Sequence, residues 1–344
     1  MKKTEKANQI SSNKKTVVLI TGGAGYIGTN IVVKLIEADV KIVVVDNFSN
    51  SYKKNIFKLM SLNRGKIKLY NFDLLDTKKL NEVIKKEQID AVIHLAGKKY
   101  VQESFERTEE YYKNNVVLTK KLLSVLTKNN IKKLVFASSI TVYGSPKTEV
   151  ISETHALKPV SPYAKQKAQC EKLIKNWQQK TGSDVVVMRQ SNPLGANLKL
   201  LIGDTPKTKK YKGVLPYMID NVKNGKKLVF NKTSKPTKDG TSIRDYIHVE
   251  DVASTFAFAV QNFPKGFNVF NIGSGEPGSS VLDIKREVEN ALSTKVEHSF
   301  REAKKGDASV MLTDNNLAKK CLNLKITKSL KDMVQSQIDC EKNI

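Results

Sequence analysis

The sequence is poor in cysteine and lacks any long apolar run. Its three cysteines, Cys170, Cys321 and Cys340, are widely separated. This spacing excludes a disulfide-rich scaffold and a paired-cysteine zinc site, and it favours a reducing, cytoplasmic compartment. No stretch approaches the roughly 18 apolar residues that a membrane-spanning helix requires. Residues 1–15 are polar and lysine-rich, so we expect a disordered extension there rather than a signal peptide.

Aromatic and acidic residues are also scarce. Aromatic side chains make up 7% of the chain, and 34 acidic residues stand against 59 basic ones, which gives a net charge of +25. The lysines are spread along the whole chain and are not interleaved with aromatic residues, so a nucleic-acid or membrane-binding protein is the less favoured alternative. We expect a solvated basic surface that helps to attract an anionic small substrate.

Short runs rich in valine and isoleucine alternate with amphipathic segments. This alternation predicts an α/β fold, a Rossmann-type doubly wound parallel sheet with helices on both faces. The strand candidates are Thr16–Thr21, Lys41–Asp46, Lys66–Phe72, Ala91–Leu95, Lys133–Ser138 and Asp184–Arg189, and the helical patterns lie near Gly25–Ala38, Thr77–Glu87, Thr108–Lys128 and Pro162–Thr181.

A glycine-rich turn, TGGAGYIG at Thr21–Gly28, follows the first strand candidate and opens the first helical pattern. Helix N-termini attract phosphate through free amide groups and the helix dipole. Gly22 and Gly25 let the backbone approach a pyrophosphate, and Gly28 lets the helix pack closely on the strand. The strand–turn–helix context favours a dinucleotide site over an ordinary tight turn.

Asp46 ends the second strand candidate, eighteen residues after Gly28. Dinucleotide folds place at this point the carboxylate that binds the adenosine ribose hydroxyls. Because a carboxylate repels an additional ribose phosphate and no arginine follows it closely, we predict NAD rather than NADP as the cofactor.

Tyr163 and Lys167 lie four residues apart at the start of a predicted helix, so they share one helix face. Ser139 follows a strand end, where it can meet them. A positive charge about 4 Å away stabilises a tyrosine phenolate by about 4 kcal/mol. This is close to the free energy needed to ionise a tyrosine at pH 7, roughly 1.4 kcal/mol per pKa unit. Lys167 and an oxidised nicotinamide are therefore expected to make Tyr163 a general base near neutral pH. The tyrosine–lysine pair alone is more typical of a surface helix contact.

The pattern changes after Asn192, where a basic loop-like segment follows, and the α/β alternation resumes later. We predict an NAD-binding Rossmann domain over residues 16–192 with 241–275 returning to it, and a smaller C-terminal α/β substrate-binding lobe from 193–240 and 276–338. The later helix candidates are Leu215–Asn224, Val252–Phe263, Ser280–Leu292 and Lys328–Gln337, and the later strand candidates are Tyr246–Val249 and Asn268–Ile272.

Together, TGGAGYIG, SSITVYG (Ser138–Gly144) and YAKQK (Tyr163–Lys167) resemble the extended short-chain dehydrogenase/reductase family of NAD-dependent epimerases and dehydratases, over about residues 16–335. Within it, the chain is similar to the epimerases that interconvert UDP-galactose and UDP-glucose. The segments that carry this similarity are Asp46–Ser51, Leu95–Ser104, Glu110–Val116, Ser161–Lys167, Asp239–Ala253 and Phe270–Gly275.

The resemblance implies a catalytic trio of Ser139, Tyr163 and Lys167, no metal, and a homodimer built from the helices Thr108–Lys128 and Pro162–Thr181. Implied cofactor contacts come from Gly22, Gly25, Tyr26, Ile27, Gly28, Asp46, Asn47, Ser51, Asp73, Leu74, Leu95, Ala96, Gly97, Lys99, Asn115, Tyr163 and Lys167. Implied substrate contacts come from Lys99, Ser139, Asn192, Val214, Arg244, Tyr246, Lys304 and Asp307.

The implied reaction is an isomerisation without net oxidation. Hydride passes from sugar C4 to tightly bound NAD, the 4-keto sugar rotates, and hydride returns to the opposite face. Tyr163 takes and returns the proton of the 4-hydroxyl, and the nucleotide anchors the ligand while the sugar turns.

Several positions depart from the family pattern. Gln190 and Ser191 replace a tyrosine–phenylalanine pair, Gly213 replaces an asparagine, Lys304 an arginine and Lys235 a tyrosine. These changes concern the substrate more than the cofactor.

The departures also bear on the alternatives. Ile140 and Thr141 stand where 4,6-dehydratases carry an Asp–Glu pair, which argues against dehydration. Met311, at the position that limits sugar size, is adaptable and leaves a UDP-N-acetylglucosamine 4-epimerase open. A plain reductase is less favoured because the segment around Arg244 matches a nucleotide anchor.

Overall fold

The computed structural model describes residues 15–343, except for positions 64, 147, 206, 208, 209, 276 and 304–307. The predicted N-terminal extension therefore lies, except for Lys15, outside the described residues. The strands are β1 (Val17–Thr21), β2 (Lys41–Asp46), β3 (Ile67–Asn71), β4 (Ala91–His94), β5 (Lys133–Ser139), β6 (Val150–Ile151), β7 (Asp184–Gln190), β8 (Asn192–Leu194), β9 (Leu228–Asn231), β10 (Ile243–Arg244), β11 (Tyr246–His248), β12 (Phe267–Ile272), β13 (Ser279–Ser280), β14 (His298–Arg301) and β15 (Val310–Thr313).

The helices alternate with these strands through most of the chain. They are α1 (Tyr26–Glu37), α2 (Lys53–Leu62), α3 (Thr77–Glu87), α4 (Val101–Glu106), α5 (Thr108–Tyr112), α6 (Leu118–Lys128), α7 (Pro162–Thr181), α8 (Val214–Lys223), α9 (Val249–Gln261), α10 (Val281–Leu292), α11 (Asn316–Leu322) and α12 (Leu330–Lys342). A π-helical segment, Lys113–Val117, joins α5 to α6, and a 3-10 turn, Ile140–Tyr143, follows β5.

The largest sheet in the described part of the chain has seven strands in the order β3-β2-β1-β4-β5-β7-β12, and every neighbouring pair is parallel. In β1, Val18 and Ile20 enter the core on one face, whereas Val17 and Leu19 enter the core on the other. Both faces are thus buried, which explains the almost continuous apolar runs. The order reverses between β1 and β4, as in doubly wound dinucleotide folds, so the predicted fold class is confirmed.

Helices cover both faces of this sheet. Residues of α1 and α9, such as Ile31 and Phe256, pack on one face. Residues of α3, α6 and α7, such as Leu80, Leu122 and Ile174, pack on the other. The site elements are therefore held between two apolar layers.

A separate apolar core forms beside the sheet. It joins α8, β9, α10 and α12 through residues such as Ile219, Phe230, Ile284 and Ile338. The strands β9 and β14 pair in parallel at its edge. This cluster matches part of the predicted lobe, whereas Leu322, in the segment assigned to that lobe, packs into the large-sheet core. The division into two domains stays a prediction.

The single helix predicted at Thr108–Lys128 was wrong in detail, because the π-helical segment Lys113–Val117 interrupts it. Several elements were not predicted: α2, α4 and α11, and the short strands β6, β8, β9, β10, β13, β14 and β15. The strands among them carry too few residues for a readable hydrophobic period. None of the helices in the described ranges is both long and apolar enough to cross a bilayer.

Candidate active site

A cavity of about 530 Å³ opens at the carboxyl ends of the large-sheet strands. Asp46 and Asp73 line one end, after β2 and β3, and Tyr163, Lys167 and Gln190 line the other, near β5 and β7. Ligands of open α/β sheets bind at this edge, across the point where strand order reverses. The volume falls within the range of small-molecule sites.

The glycine turn forms the floor of the cavity between these ends. Gly22 has φ +71°, and a Cβ there would lie 2.8 Å from the backbone nitrogen of Ala96. A Cβ on Gly28 would lie 2.6 Å from the Cα of Gly23. Helix α1 begins after Gly25 without a side-chain cap. The amide groups of its first turn are therefore directed at the cavity, which suits a phosphate group.

Asp46 organises the loop after β2. Its carboxylate accepts hydrogen bonds from the backbone nitrogens of Ala24 (3.0 Å) and Phe48 (2.8 Å) and from the Ser51 hydroxyl (2.9 Å). Asp46 is buried, yet it lines the cavity. These bonds fix the carboxylate at the cavity wall, and its Oδ2 accepts only one of them.

Asn115 stabilises the loop after β4, which forms part of the cavity wall. Its Oδ1 accepts from the backbone nitrogen of Lys98 at 2.8 Å, and its Nδ2 lies 3.1 Å from Oε1 of Gln166 on α7. Gly97, at φ +154°, leaves no room for a Cβ, which would lie 2.6 Å from Asn115 Oδ1. Asn115 does not line the cavity. The structure thus places this predicted cofactor ligand behind the loop, and the π-helical turn that carries it is a common feature of functional sites.

The other side of the cavity is bounded by a segment that we call the roof, residues 195–205 and 207. The Tyr26 hydroxyl donates to the Gly195 carbonyl at 2.5 Å, and the Lys99 ammonium lies 3.5 Å from the Asp204 carboxylate. Lys207 donates to the Phe48 carbonyl at 2.6 Å. The roof therefore contacts both the glycine turn and the loop after β2.

Local sequence explains how Tyr163 is presented. The Ser161 side chain caps α7 by accepting from the backbone nitrogen of Ala164, and Pro162 begins the helix. The backbone nitrogen of Tyr163, in the first turn of the helix, donates to the Ser104 hydroxyl at 3.2 Å. The tyrosine therefore sits in a fixed first turn.

The structure brings Ser139, Tyr163 and Lys167 together. Ser139 lies near enough to the Tyr163 phenol to lower its pKa, and its hydroxyl accepts from the Thr141 hydroxyl at 3.0 Å. Ser139 does not itself line the cavity. The Lys167 ammonium donates to the Ala137 carbonyl at 2.7 Å and lies 4.8 Å from the centre of the Phe136 ring. It lies 6.0 Å from the centre of the Tyr163 ring.

These contacts set the protonation of the pair. Burial raises the pKa of Tyr163 to about 12, against a smaller lowering by the Ser139 hydrogen bond. Burial also lowers the pKa of Lys167. The Lys167 ammonium is directed to a strand carbonyl, and the raised pKa of Tyr163 favours the neutral phenol. The expectation that Lys167 and an oxidised nicotinamide together make Tyr163 a general base near neutral pH stays a prediction.

A buried ionic network lies one helical turn beyond Lys167. Glu171 accepts from Arg189 at 2.7 Å (Nη2), 3.1 Å and 3.2 Å (Nε), and both side chains are under a tenth exposed. Arg189 Nη1 also donates to the Tyr143 hydroxyl at 2.8 Å, and the Ser138 hydroxyl donates to Glu171. The network thus ties α7 to the ends of β5 and β7.

The predicted cofactor residues other than Asn115 all line the cavity. They are Gly22, Gly25, Tyr26, Ile27, Gly28, Asp46, Asn47, Ser51, Asp73, Leu74, Leu95, Ala96, Gly97, Lys99, Tyr163 and Lys167. The cavity is also lined by Tyr100, Asp204 and Lys207, which were not predicted. The last two belong to the roof, which carries no periodic or motif signal.

The predicted substrate residues lie mainly outside this cavity, with Lys99 as the exception. Asn192 and Tyr246 pair in register between β8 and β11. Val214 begins α8. Lys304 and Asp307 lie outside the described residues.

Arg244, on β10, pairs in register with Met311 on β15. Its guanidinium donates to the backbone carbonyls of Ile243 (2.7 Å) and Ala308 (2.6 Å). The next residue, Asp245, accepts hydrogen bonds from Ser191 and Thr313 in the interior. Arg244 is thus held by backbone acceptors beside the loop that precedes β15.

His94 is a buried residue at the end of β4. Its ring nitrogens lie 2.7 Å from the Thr21 hydroxyl and 3.1 Å from the Thr119 hydroxyl. Burial lowers its pKa to about 3, so the ring is neutral.

The donor and acceptor set of the cavity fits a nicotinamide dinucleotide. The glycine turn offers free amides, and Asp46 offers a fixed carboxylate beside them. Two buried polar atoms, Tyr100 Oη and Gln190 Oε1, have no hydrogen-bond partner among the described residues, and both residues line this cavity. Buried polar atoms of this kind are typical of sites completed by a ligand.

Known proteins resemble the chain over nearly its whole length. The UDP-glucose 4-epimerase of Pasteurella multocida is 36% identical over 326 residues, which cover 92% of this chain and 95% of the relative. The crystal structure of UDP-glucose 4-epimerase from Bifidobacterium longum in complex with NAD+ and UDP superposes with a TM-score of 0.90 at 32% identity, covering 95% of this chain and 98% of that one.

A third protein is more distant. The structure of the UDP-Glc/GlcNAc 4-epimerase from Campylobacter jejuni has a TM-score of 0.83 at 29% identity and covers 96% of this chain and 100% of that one. The profile of the NAD dependent epimerase/dehydratase family matches residues 18–273. This match spans more than half of the sequence and includes all seven strands of the large sheet, apart from Val17 at the start of β1. The chain therefore belongs to the NAD-dependent epimerase/dehydratase family.

Proposed function

We propose that this chain is an NAD-dependent UDP-glucose 4-epimerase, an isomerase that interconverts UDP-galactose and UDP-glucose. The observation that carries the proposal is the meeting of Ser139, Tyr163 and Lys167 at one end of a cleft that begins at the glycine turn. The names of full-length relatives at about one-third identity support the same activity.

Different residues of the chain would bind the pyrophosphate and the adenosine ribose of the cofactor. The amides of the turn from Gly22 to Gly28 would hold the pyrophosphate, and Asp46 would hold the adenosine ribose. When bound, NAD supplies a reversible two-electron oxidation at C4 of the hexose.

Tyr163 holds the proton that the reaction moves. Its phenolate takes the proton of the sugar 4-hydroxyl as C4 is oxidised, and the phenol returns it when C4 is reduced. Ser139 shares the hydrogen bond of this oxygen. Because burial raises the phenol pKa to about 12, the base form depends on positive charge near it, of which Lys167 is one source.

Inversion at C4 requires an anchor that holds the nucleotide. We propose that Arg244, Asn192 and Tyr246, together with Val214, Lys304 and Asp307, bind the uridine diphosphate while the keto sugar turns about its link to the phosphate. Arg244 is positioned for this task because backbone carbonyls fix its guanidinium. A planar guanidinium suits diphosphate oxygens through paired hydrogen bonds.

The test is conversion of UDP-galactose to UDP-glucose by the purified protein without added NAD, followed by NMR of the sugar protons. Turnover is expected in the wild type, and Tyr163→Phe should lower the rate at least about 100-fold. The matched control is Tyr70→Phe, which removes a phenol hydroxyl outside the cavity and should leave the rate unchanged. A silent wild type, with and without added NAD, would refute the proposal.

A UDP-N-acetylglucosamine 4-epimerase is the second candidate. Met311 is buried beside Arg244 and is flexible enough to make room for a larger sugar substituent. Turnover of the N-acetylated sugar alone, in the same assay, would move the assignment to that activity.

We also propose a cytoplasmic homodimer. The three cysteines are unpaired, as in proteins of reducing compartments. Phe105 and Tyr112 are about half exposed on α4 and α5, beside the helices expected to form the dimer. Sedimentation at micromolar concentration should give twice the 38.5 kDa chain mass, and a monomer there would refute this part.

A further inference from the structure

The buried amide of Gln190 has an acceptor that the protein itself does not satisfy. Among the described residues, three buried side-chain polar atoms have no hydrogen-bond partner: Asn30 Oδ1, Tyr100 Oη and Gln190 Oε1. Gln190 is 6% exposed and lines the cavity, whereas Asn30 does not. Buried polar atoms in folded proteins nearly always have a partner, so a partner outside the chain is indicated.

The position of Gln190 places this acceptor at the reactive end of the cleft. The residue ends β7, where it pairs in register with Ser139 of β5 and Ile272 of β12. Tyr163 and Lys167 line the same end of the cavity. The preceding residue, Arg189, is fixed by Glu171, so the strand end that carries Gln190 is held in place.

The chemistry of the amide limits what it recognises. Its oxygen accepts hydrogen bonds from neutral N–H and O–H groups without adding charge. This position departs from the tyrosine that the family resemblance implies, and a phenol differs from a primary amide in size and in the acceptor it presents. The residue therefore gives this chain a contact that its family pattern does not specify.

Resting on the proposed function, we propose that Gln190 is a specificity-determining residue whose amide oxygen accepts a hydrogen bond from a neutral N–H or O–H donor of the bound ligands. Two groups have this chemistry at the reactive end. One is the carboxamide NH2 of the nicotinamide ring, and the other is a hydroxyl of the hexose. Both form the contact without any covalent step.

The first arm tests the carboxamide. The holoenzyme is equilibrated with equal concentrations of NAD and its 3-acetylpyridine analogue, in which a methyl group replaces the NH2, until the bound composition is constant. Mass spectrometry then gives the ratio of bound dinucleotides. If the carboxamide is the donor, the wild type prefers NAD, and Gln190→Met lowers this preference about tenfold.

The second arm tests the sugar. Calorimetry of the holoenzyme gives the affinities for UDP-galactose and for UDP, and their ratio reports contacts made to the hexose alone. If a hydroxyl is the donor, Gln190→Met lowers this ratio about tenfold and leaves the dinucleotide ratio unchanged. The matched control in both arms is Gln261→Met, the same substitution at an exposed position of α9.

A lower ratio in either arm supports the proposal and names the donor. If both ratios match those of the control, the amide only fills space or binds water, and the proposal is overturned. Gln190→Leu is tested in parallel in case Gln190→Met does not fold. Since both arms measure binding, failure of the proposed epimerisation would appear separately, as binding without turnover.

Discussion

The ion pair between Glu171 and Arg189 gives the sharpest prediction on stability. We consider Glu171→Gln, which keeps the shape of the side chain and removes its charge. Arg189 would lose a partner that now accepts three contacts at 2.7–3.2 Å. The Arg189 guanidinium would stay buried, because Tyr143 and the Glu153 carbonyl hold its other side.

The size of the effect follows from this burial. Removal of one partner from a buried pair costs about 3 to 5 kcal/mol, because the remaining charge is left uncompensated. The glutamine oxygen still accepts one bond from Arg189, so we expect a loss near the lower end, about 3 kcal/mol. An arginine side chain does not lose its proton in proteins, so the charge of Arg189 remains in the variant.

Urea unfolding followed by circular dichroism measures this loss. The matched control is Glu297→Gln, since Glu297 is 86% exposed and lies 3.6 Å from Lys227. The control should change the unfolding free energy by less than about 0.5 kcal/mol. If Glu171→Gln costs no more than the control, the charges of the network are not coupled and our reasoning on this site is wrong.

Two further predictions concern pH and the glycine turn. Burial lowers the pKa of His94 to about 3 and that of His248 to about 4. The unfolded chain therefore binds more protons below about pH 6.5, and the unfolding free energy should fall as the pH drops from 6.5 towards 4. Urea midpoints at pH 7 and pH 5 check this, and equal midpoints would contradict it. Gly22→Ala places a Cβ 2.8 Å from the Ala96 backbone and should abolish retention of NAD, whereas Gly225→Ala, at φ +60° with open space, should keep it. The absorbance of the dinucleotide released from each purified variant measures how much was bound. Equal amounts in the two variants would refute the role of the glycine turn in binding NAD.

The sequence predicted the parts of the site that depend on short-range order. The glycine turn, Asp46 at a strand end and the spacing of Tyr163 and Lys167 are all read within one or two elements. The bounds of β2 and α3 agree with the sequence because each buries a regular stripe of apolar residues.

The parts that were missed depend on contacts between distant residues. No local pattern shows that the Asn115 side chain bonds to Lys98 and Gln166, or that the Lys167 ammonium bonds to a strand carbonyl. Spacing along a helix likewise does not reveal the burial that raises the pKa of Tyr163. The fold was thus readable from periodicity, whereas the electrostatics of the site required the packed structure.

The roof has a consequence for the order in which the protein matures. Its Asp204 is held by the last helix, because Gln337 of α12 accepts from the Asp204 nitrogen and donates to the Asp204 carbonyl, both at 3.0 Å. During synthesis the N-terminal strands emerge first and begin to fold. The glycine turn thus exists before the residues that lock the roof have left the ribosome. A nascent chain should therefore capture its dinucleotide reversibly, and durable retention should begin only when the final helix has been released.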